Sequence, residues 1–206
     1  LGKIVAIEKG KDFHDKKTCI EETDEKLSQA GMNHGKIICI YEKAGSQSMC
    51  VYDEGGHRRD IELPCVYGKI DIADQELGSE RPLFSYESFS VLPNVMELNL
   101  EDYTASTVYV SGTACEDVIE ELTYYTSYDG TRLPAYIIRK KHVQKNGNNR
   151  TLFYGYGGYN ATNYVRADAC GMTIANWIEA GGIYVHCIIR GGGEFGEDWH
   201  RSGWKE

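Results

Sequence analysis

The chain has 206 residues, of which 41% are hydrophobic, and this length is sufficient for one sizeable core or for parts of two. The formal net charge of −9 argues against a nucleic-acid partner, because no basic surface is available to displace counterions from phosphates. No charged-then-apolar leader opens the chain and no apolar run approaches the roughly 18 residues that cross a bilayer, so we expect a soluble, cytoplasmic protein without membrane attachment.

The cysteines and carboxylates indicate neither a disulfide framework nor a metal site. The seven cysteines are scattered, without C-x-x-C or a Cys/His cluster at metal-ligand spacing, so we expect free thiols in a reducing compartment. The many carboxylates before Asp74 predict a solvated acidic surface. The chain begins at Leu1 and closes at Lys205-Glu206 without a terminal helix, and we therefore expect truncation at both ends.

Between about residues 36 and 110 the sequence is a series of short runs typical of β-strands, separated by turn residues such as Asp53-Glu54-Gly55-Gly56. The predicted strands are Lys36–Tyr41, Ser48–Asp53, Phe84–Ser90, Val95–Leu100 and Thr107–Val110. No long amphipathic helix is predicted between them. Short antiparallel strands at this spacing are equally compatible with a sandwich, a barrel or propeller blades.

After Ser111-Gly112 the pattern changes. Val118–Thr126 and Leu133–Arg139 are β-rich runs joined by Tyr128-Asp129-Gly130, and Asp-Gly between two such runs predicts a hairpin because Gly tolerates positive φ. A polar loop follows, and Thr151–Tyr156 is the next predicted strand.

The following segment predicts a βαβ unit. One helical face carries apolar residues at i, i+4, i+7 and i+8, namely Cys170, Ile174, Trp177 and Ile178. Gly181-Gly182 is expected to end that helix. Ile183–Ile189 is a nearly all-apolar run of strand length, as expected when both faces of a strand are buried in a largely parallel sheet.

Two glycine-rich loops follow predicted strands, at Tyr154–Asn160 and at Arg190–Glu197. In open α/β sheets ligand sites collect at the carboxyl ends of strands, although glycines after a strand more often serve only a tight turn. Gly191, Gly193 and Gly196 also match the G-x-G-x-x-G dinucleotide fingerprint. Neighbouring carboxylates and the absence of a clear amphipathic helix argue against a nucleotide there.

No complete catalytic constellation is present. The sequence contains neither the G-x-S-x-G nucleophile elbow nor H-E-x-x-H. We interpret each of the six histidines as structural, and His186, inside an apolar run, as a hydrogen-bonded core residue.

Two motifs together resemble the prolyl oligopeptidase family. They are Leu-Phe-Tyr-Gly-Tyr-Gly-Gly-Tyr-Asn at residues 152–160 and Ile-Arg-Gly-Gly-Gly-Glu-Phe-Gly-Glu-Asp-Trp-His at residues 189–200. The segment Tyr128–Pro134 and the run Ile137–Lys141 also look like that family, so the strong resemblance covers about residues 118–203. Before it the resemblance is weaker, and Leu83–Phe89 looks like part of the last propeller blades.

The resemblance implies a mixed fold, in which a seven-bladed β-propeller caps an α/β-hydrolase domain. Residues 1–111 would be the C-terminal part of the β-propeller and residues 112–206 the start of the α/β-hydrolase domain, truncated before the nucleophile. The implied activity is that of a serine endopeptidase, which cleaves short peptides after proline with a Ser-Asp-His triad. All three triad residues would lie outside this chain, so we expect the chain alone to be inactive.

The resemblance also assigns site residues. Tyr156 would donate its hydroxyl to the oxyanion hole, and Tyr159, where the family usually has Phe, would line the pocket for the substrate proline. Arg190 would form a structural ion pair, while Gly191, Gly192 and Gly193 build the surroundings of the site. Ile188 departs from the Asn that is common at its position.

The triad chemistry implies no metal and no other cofactor. The implied partners are short proline-containing peptides, and the full-length protein is expected to be a monomer. Two alternatives remain open: a peptide macrocyclase or transpeptidase on the same scaffold, and a non-catalytic interaction protein that has lost the triad.

Overall fold

The computed structural model describes residues 1–73, 76–112, 115–168 and 174–204, and within these ranges the chain is mostly β-structure. Two short α-helices are present, α1 (Ile174–Glu179) and α2 (Glu197–Arg201), and 3-10 turns occupy Phe13–Asp15 and Glu76–Gly78. The strands are β1 (Ile4–Ala6), β2 (Lys17–Ile20), β3 (Lys26–Asn33), β4 (Lys36–Lys43), β5 (Ser46–Tyr52), β6 (Arg58–Asp60), β7 (Lys69–Asp71), β8 (Leu83–Glu87), β9 (Asn94–Asn99), β10 (Thr104–Val110), β11 (Val118–Thr126), β12 (Arg132–Lys140), β13 (Thr151–Tyr156) and β14 (Ile183–Ile188).

The first half of the chain forms two four-stranded antiparallel sheets. Sheet I consists of β3-β4-β5-β6 and sheet II of β7-β8-β9-β10, and in each the strands pair in the order in which they follow one another. The strands β1 and β2 form a separate antiparallel pair before them. Sheets of four consecutive strands are the repeating unit of a β-propeller, the architecture implied by the resemblance.

Sheets I and II share one apolar core. Alternate residues of β9 are buried, which is the period expected of a strand with one face in a core. The residues that meet between the sheets include Ile38, Ile40, Met49, Val51, Ile70, Phe84, Tyr86, Met96 and Leu98. Face-to-face packing of these side chains holds the two sheets together.

The second half of the chain forms sheet III, with the strand order β11-β12-β14-β13. The predicted hairpin is present, since β11 and β12 are antiparallel and Gly130 in their turn has a φ of 84°. The predicted βαβ unit is also present, because β13 and β14 pair in parallel on either side of α1. In the described part of sheet III this is the one parallel pair, because the hairpin places antiparallel β12 beside β14. The apolar character of β14 therefore reflects its central position rather than a largely parallel sheet.

The crossover helix is shorter than the apolar pattern predicts. Cys170 lies outside the described residues, and α1 begins at Ile174. Ile174 and Ile178 are buried, and the Trp177 indole donates a hydrogen bond to the carbonyl of Ile183 (2.9 Å). The helix ends as predicted before Gly181, which has a φ of 78°. The other six cysteines are free thiols.

The contacts between the first half of the chain and sheet III include one that is apolar and one that is a hydrogen bond. Phe89, between β8 and β9, inserts its ring among Tyr136, Tyr184 and His186 of sheet III, with ring centroids 5.2–5.9 Å apart. The β4–β5 turn also contacts sheet III, because the Tyr136 hydroxyl donates to the carbonyl of Ala44 (3.0 Å). None of the helices in the described ranges has the length and apolar character that crossing a membrane requires.

Candidate functional site

The loop after β13 reverses the chain sharply. Tyr159 and Asn160 have φ values of 60° and 56°, in the left-handed region that a tyrosine rarely adopts. A side chain on Gly157 would lie 2.4 Å from the carbonyl oxygen of Arg190, so no other residue fits there without a shift of the backbone. The close approach of a second loop therefore explains this glycine.

That second loop is the glycine-rich segment after β14, and the structure brings the two loops together. The Asn160 N–H donates to the carbonyl of Gly191 (3.2 Å), and the Gly193 N–H donates to the carbonyl of Ala161 (3.2 Å). A Cβ on Gly191 would lie 2.0 Å from the carbonyl oxygen of Gly157. The contact is made between main chains, which is why these positions carry no side chains.

Tyr156 is the last residue of β13. Its side chain is 41% exposed, and its ring folds over Gly158, where a Cβ would lie 3.1 Å from the hydroxyl oxygen. The hydroxyl forms no hydrogen bond with any residue that the structure describes. A neutral phenol in this state can donate to an oxygen that acquires negative charge.

Tyr159 lies on the same loop, three residues further along. Its side chain is 92% exposed. Its flat aromatic face is therefore accessible from solvent.

Arg190 joins the glycine-rich loop to the β11–β12 turn. Its guanidinium forms an ion pair with Asp129 and a weak contact with the Thr131 hydroxyl (3.4 Å). The backbone N–H of Thr131 and the Arg190 guanidinium lower the pKa of Asp129 to about 2, so this pair stays ionised over the physiological range. The charge of Arg190 is thus already engaged within the protein.

The segment that contains α2 covers the outer side of the glycine-rich loop. His200 donates from Nδ1 to the carbonyl of Gly191 (2.7 Å), and the Gly191 N–H donates to the carbonyl of Trp199 (3.1 Å). A Cβ on Gly203 would lie 2.5 Å from the Gly191 main chain. Gly191 is therefore held from both sides.

A buried carboxylate, Glu194, anchors the glycine-rich loop from within. Its Oε1 accepts the Asn163 N–H (2.8 Å), whereas its buried Oε2 has no hydrogen-bond partner in the described structure. Burial raises the pKa of Glu194 above its usual value. Gly192 allows this arrangement, since a Cβ there would lie 2.3 Å from Oε2.

A second buried carboxylate, Glu42, contradicts the expectation that the acidic residues before Asp74 are solvated. It lies near the end of β4 and is 1% exposed. It accepts hydrogen bonds from the hydroxyls of Thr162 (2.9 Å) and Tyr164 (3.1 Å), and Lys26 Nζ lies 3.4 Å away. The partners lie far along the chain, so no local sequence signal indicates this burial.

His186 has the core role predicted for it. It is fully buried in β14, donates from Nε2 to the carbonyl of Asn163 (3.2 Å) and accepts at Nδ1 from the Tyr184 hydroxyl (3.2 Å). Burial lowers its pKa to about 4, so it is neutral at physiological pH. No group of His, Cys, Asp or Glu in the described ranges is arranged to hold a metal ion.

Comparisons with known proteins agree on one family. The chain is 32% identical over 194 residues to a prolyl endopeptidase of Elizabethkingia miricola, a match that covers 92% of this chain and 27% of that protein. It is 29% identical over 217 residues to the dual function macrocyclase-peptidase POPB of Galerina marginata, covering 99% of this chain and 29% of that protein. No family model matches the chain.

The solved structures resemble the chain over nearly its whole length. Prolyl oligopeptidase B from Galerina marginata, bound to a 25mer macrocyclization substrate, superposes with a TM-score of 0.82 at 25% identity, covering 98% of this chain and 29% of that one. The predicted fold class, C-terminal β-propeller blades followed by the first part of an α/β-hydrolase domain, is confirmed. The chain spans about a quarter of the length of the curated relatives.

Proposed function

Because the chain belongs to the prolyl oligopeptidase family, we propose that the protein of which it forms a part is a serine-type endopeptidase acting on short peptides at the carboxyl side of proline. The observation that carries this proposal is the Tyr156 hydroxyl, which has no hydrogen-bond partner among the described residues and lies on the loop that contacts the second glycine-rich loop. The curated relatives of the chain bear the names prolyl endopeptidase and prolyl oligopeptidase, in agreement with it.

In the proposed mechanism Tyr156 acts as an oxyanion donor. When a serine attacks the peptide carbonyl, the carbonyl oxygen becomes negatively charged, and a donor already in place stabilises it without reorganisation. The serine and its Asp and His partners would come from residues outside this chain, and the 206 residues alone would not hydrolyse peptides.

The other predicted residues have supporting roles in this proposal. Tyr159 would offer its exposed face to the ring of the substrate proline. Arg190 would fix the glycine-rich loop through Asp129, and Gly191, Gly192 and Gly193 would allow the loops to approach. Of these residues only Tyr159 would touch the substrate, and none would touch the reacting atoms.

The proposal divides the chain at residue 111, with residues 1–111 in the propeller and residues 112–206 in the hydrolase domain. It requires neither a metal nor another cofactor, since the triad supplies the nucleophile, the base and the acid. The full-length protein would work as a cytoplasmic monomer on short proline-containing peptides, without nucleic acid or membrane as a partner.

Peptide macrocyclisation is the second candidate function. It is favoured by the similarity to a macrocyclase-peptidase over 99% of the chain. The two reactions share the acyl-enzyme, which water attacks in hydrolysis and the amino terminus of the same peptide attacks in cyclisation. A non-catalytic interaction protein would have the same scaffold without an intact triad.

The test is cleavage of a short chromogenic peptide with proline before the reporter group, by the full-length protein, with and without a serine-directed covalent inhibitor. Cleavage that the inhibitor abolishes is expected. A folded protein that cleaves nothing would exclude the peptidase and favour the interaction protein. A longer substrate, analysed by mass, separates the two reactions, because the cyclic product weighs one water less than the linear one.

A further inference from the structure

Glu42 is the point at which sheet I holds the segment that follows the Tyr156 loop. Its carboxylate lies in the interior and accepts both the Thr162 and the Tyr164 hydroxyl, as described above. In the adjoining β4–β5 turn, the carbonyl of Gly45 accepts a hydrogen bond from the Val165 N–H (2.8 Å). Residues 162–165 connect β13 to α1 in the part of the chain that forms sheet III, but they are held by groups of sheet I.

The same segment is bound on its other side to the glycine-rich loop and to the core of sheet III. Asn163 donates its N–H to Glu194 and accepts at its carbonyl from His186. Ala161, two residues earlier, accepts from the Gly193 N–H. A displacement of residues 162–165 would therefore be transmitted to both loops that surround Tyr156.

Two hydroxyls and one ammonium group converge on the Glu42 carboxylate. Lys26 Nζ reaches both the Glu42 carboxylate (3.4 Å) and the carbonyl of Gly193 (3.0 Å), so it connects this carboxylate directly to the glycine-rich loop. Burial and the neighbouring Glu42 raise the pKa of Tyr164 to about 12, which keeps its hydroxyl a donor at all ordinary pH values. Charge-assisted hydrogen bonds of this kind are stronger than those between neutral groups.

We propose that Glu42 is a positioning residue of the active site, which fixes the 162–165 segment and through it the two glycine loops, so that Tyr156 reaches its working geometry only while sheet I is seated on sheet III. The inference rests on the proposed function for its effect on turnover. Glu42 touches neither substrate nor reacting atoms in this scheme. A displacement of about 1 Å at a catalytic group is enough to cost roughly 10²-fold in rate.

The test compares Glu42→Ala with Glu120→Ala in the full-length protein. Glu120 is a matched control because it is a half-buried carboxylate that also joins the halves of the chain, but its donors are the Ser88 hydroxyl (3.1 Å) and the Ser90 N–H (2.9 Å) and not groups of residues 162–165. At a temperature at which both variants are folded, Glu42→Ala is expected to lower kcat by about 10- to 100-fold with little change in KM. Glu120→Ala should lower the unfolding temperature and leave kcat unchanged.

Conservative variants sharpen the result. Glu42→Gln keeps one acceptor oxygen and should recover part of the lost kcat. Tyr164→Phe removes one donor to the same carboxylate, so its effect should be less than additive with that of Glu42→Ala. If Glu42→Ala does not fold, Tyr164→Phe carries the same expectation with a smaller fall in kcat. A wild-type kcat in Glu42→Ala, or an equal fall in both alanine variants, would overturn the proposal.

Hydrogen exchange separates this inference from the proposed function. If the wild-type protein cleaves no prolyl peptide, the proposed function fails, and the positioning role is decided by the amides of residues 156–165. Faster exchange of these amides in Glu42→Ala but not in Glu120→Ala supports the role. Unchanged exchange in Glu42→Ala overturns it.

Discussion

Two tyrosine hydroxyls, those of Tyr86 and Tyr156, differ in a way that suits different roles. The buried Tyr86 hydroxyl donates to the main-chain carbonyls of Cys65 and Tyr67, both at 2.9 Å. A buried phenol needs such a partner because leaving it unpaired would cost stability. The half-exposed Tyr156 hydroxyl has none among the described residues.

Tyr156→Phe is expected to lower kcat of the full-length enzyme by about 10²- to 10³-fold, the range for the loss of one oxyanion donor. The unfolding temperature should not change, because the hydroxyl has no hydrogen-bond partner among the described residues. Tyr86→Phe is the control: it should reduce stability by about 1 kcal/mol and leave kcat intact. A wild-type kcat in Tyr156→Phe would remove this residue from the mechanism.

His186 makes stability depend on pH in a defined direction. Its folded-state pKa of about 4 is below the ordinary 6.5, so the unfolded chain binds the additional proton first as pH falls. The contribution of neutral His186 to the free energy of unfolding is fully present above pH 6.5. It falls by about 3 kcal/mol in total as the pH is lowered to 4. Glu194 and Glu120 have raised pKa values and act in the opposite direction, so a difference measurement is needed.

That measurement compares the free energy of unfolding of wild type and His186→Gln between pH 4 and 7. Glutamine can still donate and accept hydrogen bonds but does not titrate, so the variant should lose less stability on acidification than the wild type. Parallel pH curves for the two proteins would show that His186 is not the responsible group.

At the scale of secondary-structure elements, prediction succeeded where the signal is local. The predicted hairpin, the β13–α1–β14 unit and the strands β4, β5 and β9 follow from apolar runs and turn residues close in sequence. The strand β3 was missed because its sequence has few apolar residues, and its pairing with β4 determines its conformation. The burial of Glu42 was missed because its donors lie 120 and 122 residues away.

One glycine of the glycine-rich loop and one of the β11–β12 turn give a matched pair of substitutions. Gly191 and Gly130 both have positive φ, of 99° and 84°, but nothing lies within 4 Å of a Cβ at Gly130, whereas a Cβ at Gly191 would lie 2.0 Å from the Gly157 carbonyl oxygen. Gly130→Ala should therefore cost only the backbone strain, about 1–2 kcal/mol. Gly191→Ala should cost more and also reduce turnover, because the two loops must separate.

Thermal unfolding and peptide cleavage by the two variants check this expectation. Equal losses of stability would indicate that the strain of positive φ, and not the loop contact, dominates at both positions.

At the scale of the whole molecule, the Phe89 side chain is one of the groups that join the two halves. Phe89 lies between two strands of sheet II, but its side chain is buried (2% exposed) among aromatic rings of sheet III. Its neighbours Ser88 and Ser90 donate to Glu120 of β11, so the same short segment has an apolar and a polar anchor. We expect the stability of sheet II to depend on sheet III through this segment.

Phe89→Ala should destabilise the protein by about 3–5 kcal/mol, because the surrounding rings cannot close the cavity. Hydrogen exchange should become faster in both β8 and β12. Phe84→Ala, which empties an equally buried position in the core between sheets I and II, should accelerate exchange in those sheets and spare sheet III. Acceleration confined to sheet II in Phe89→Ala would contradict the coupling.

The way in which the β4–β5 turn contacts the second half of the chain affects which positions can vary between homologues. Among the described residues, its hydrogen bonds to the second half of the chain end on the main-chain carbonyls of Ala44 and Gly45, and a Cβ on Gly45 would lie 2.4 Å from the carbonyl oxygen of Asn163. Main-chain recognition of this kind leaves most side chains in the turn free to drift between homologues while the contact persists. In an alignment of the family we therefore expect Glu42 to co-vary with Thr162 and Tyr164, and we expect no such co-variation at the β4–β5 turn.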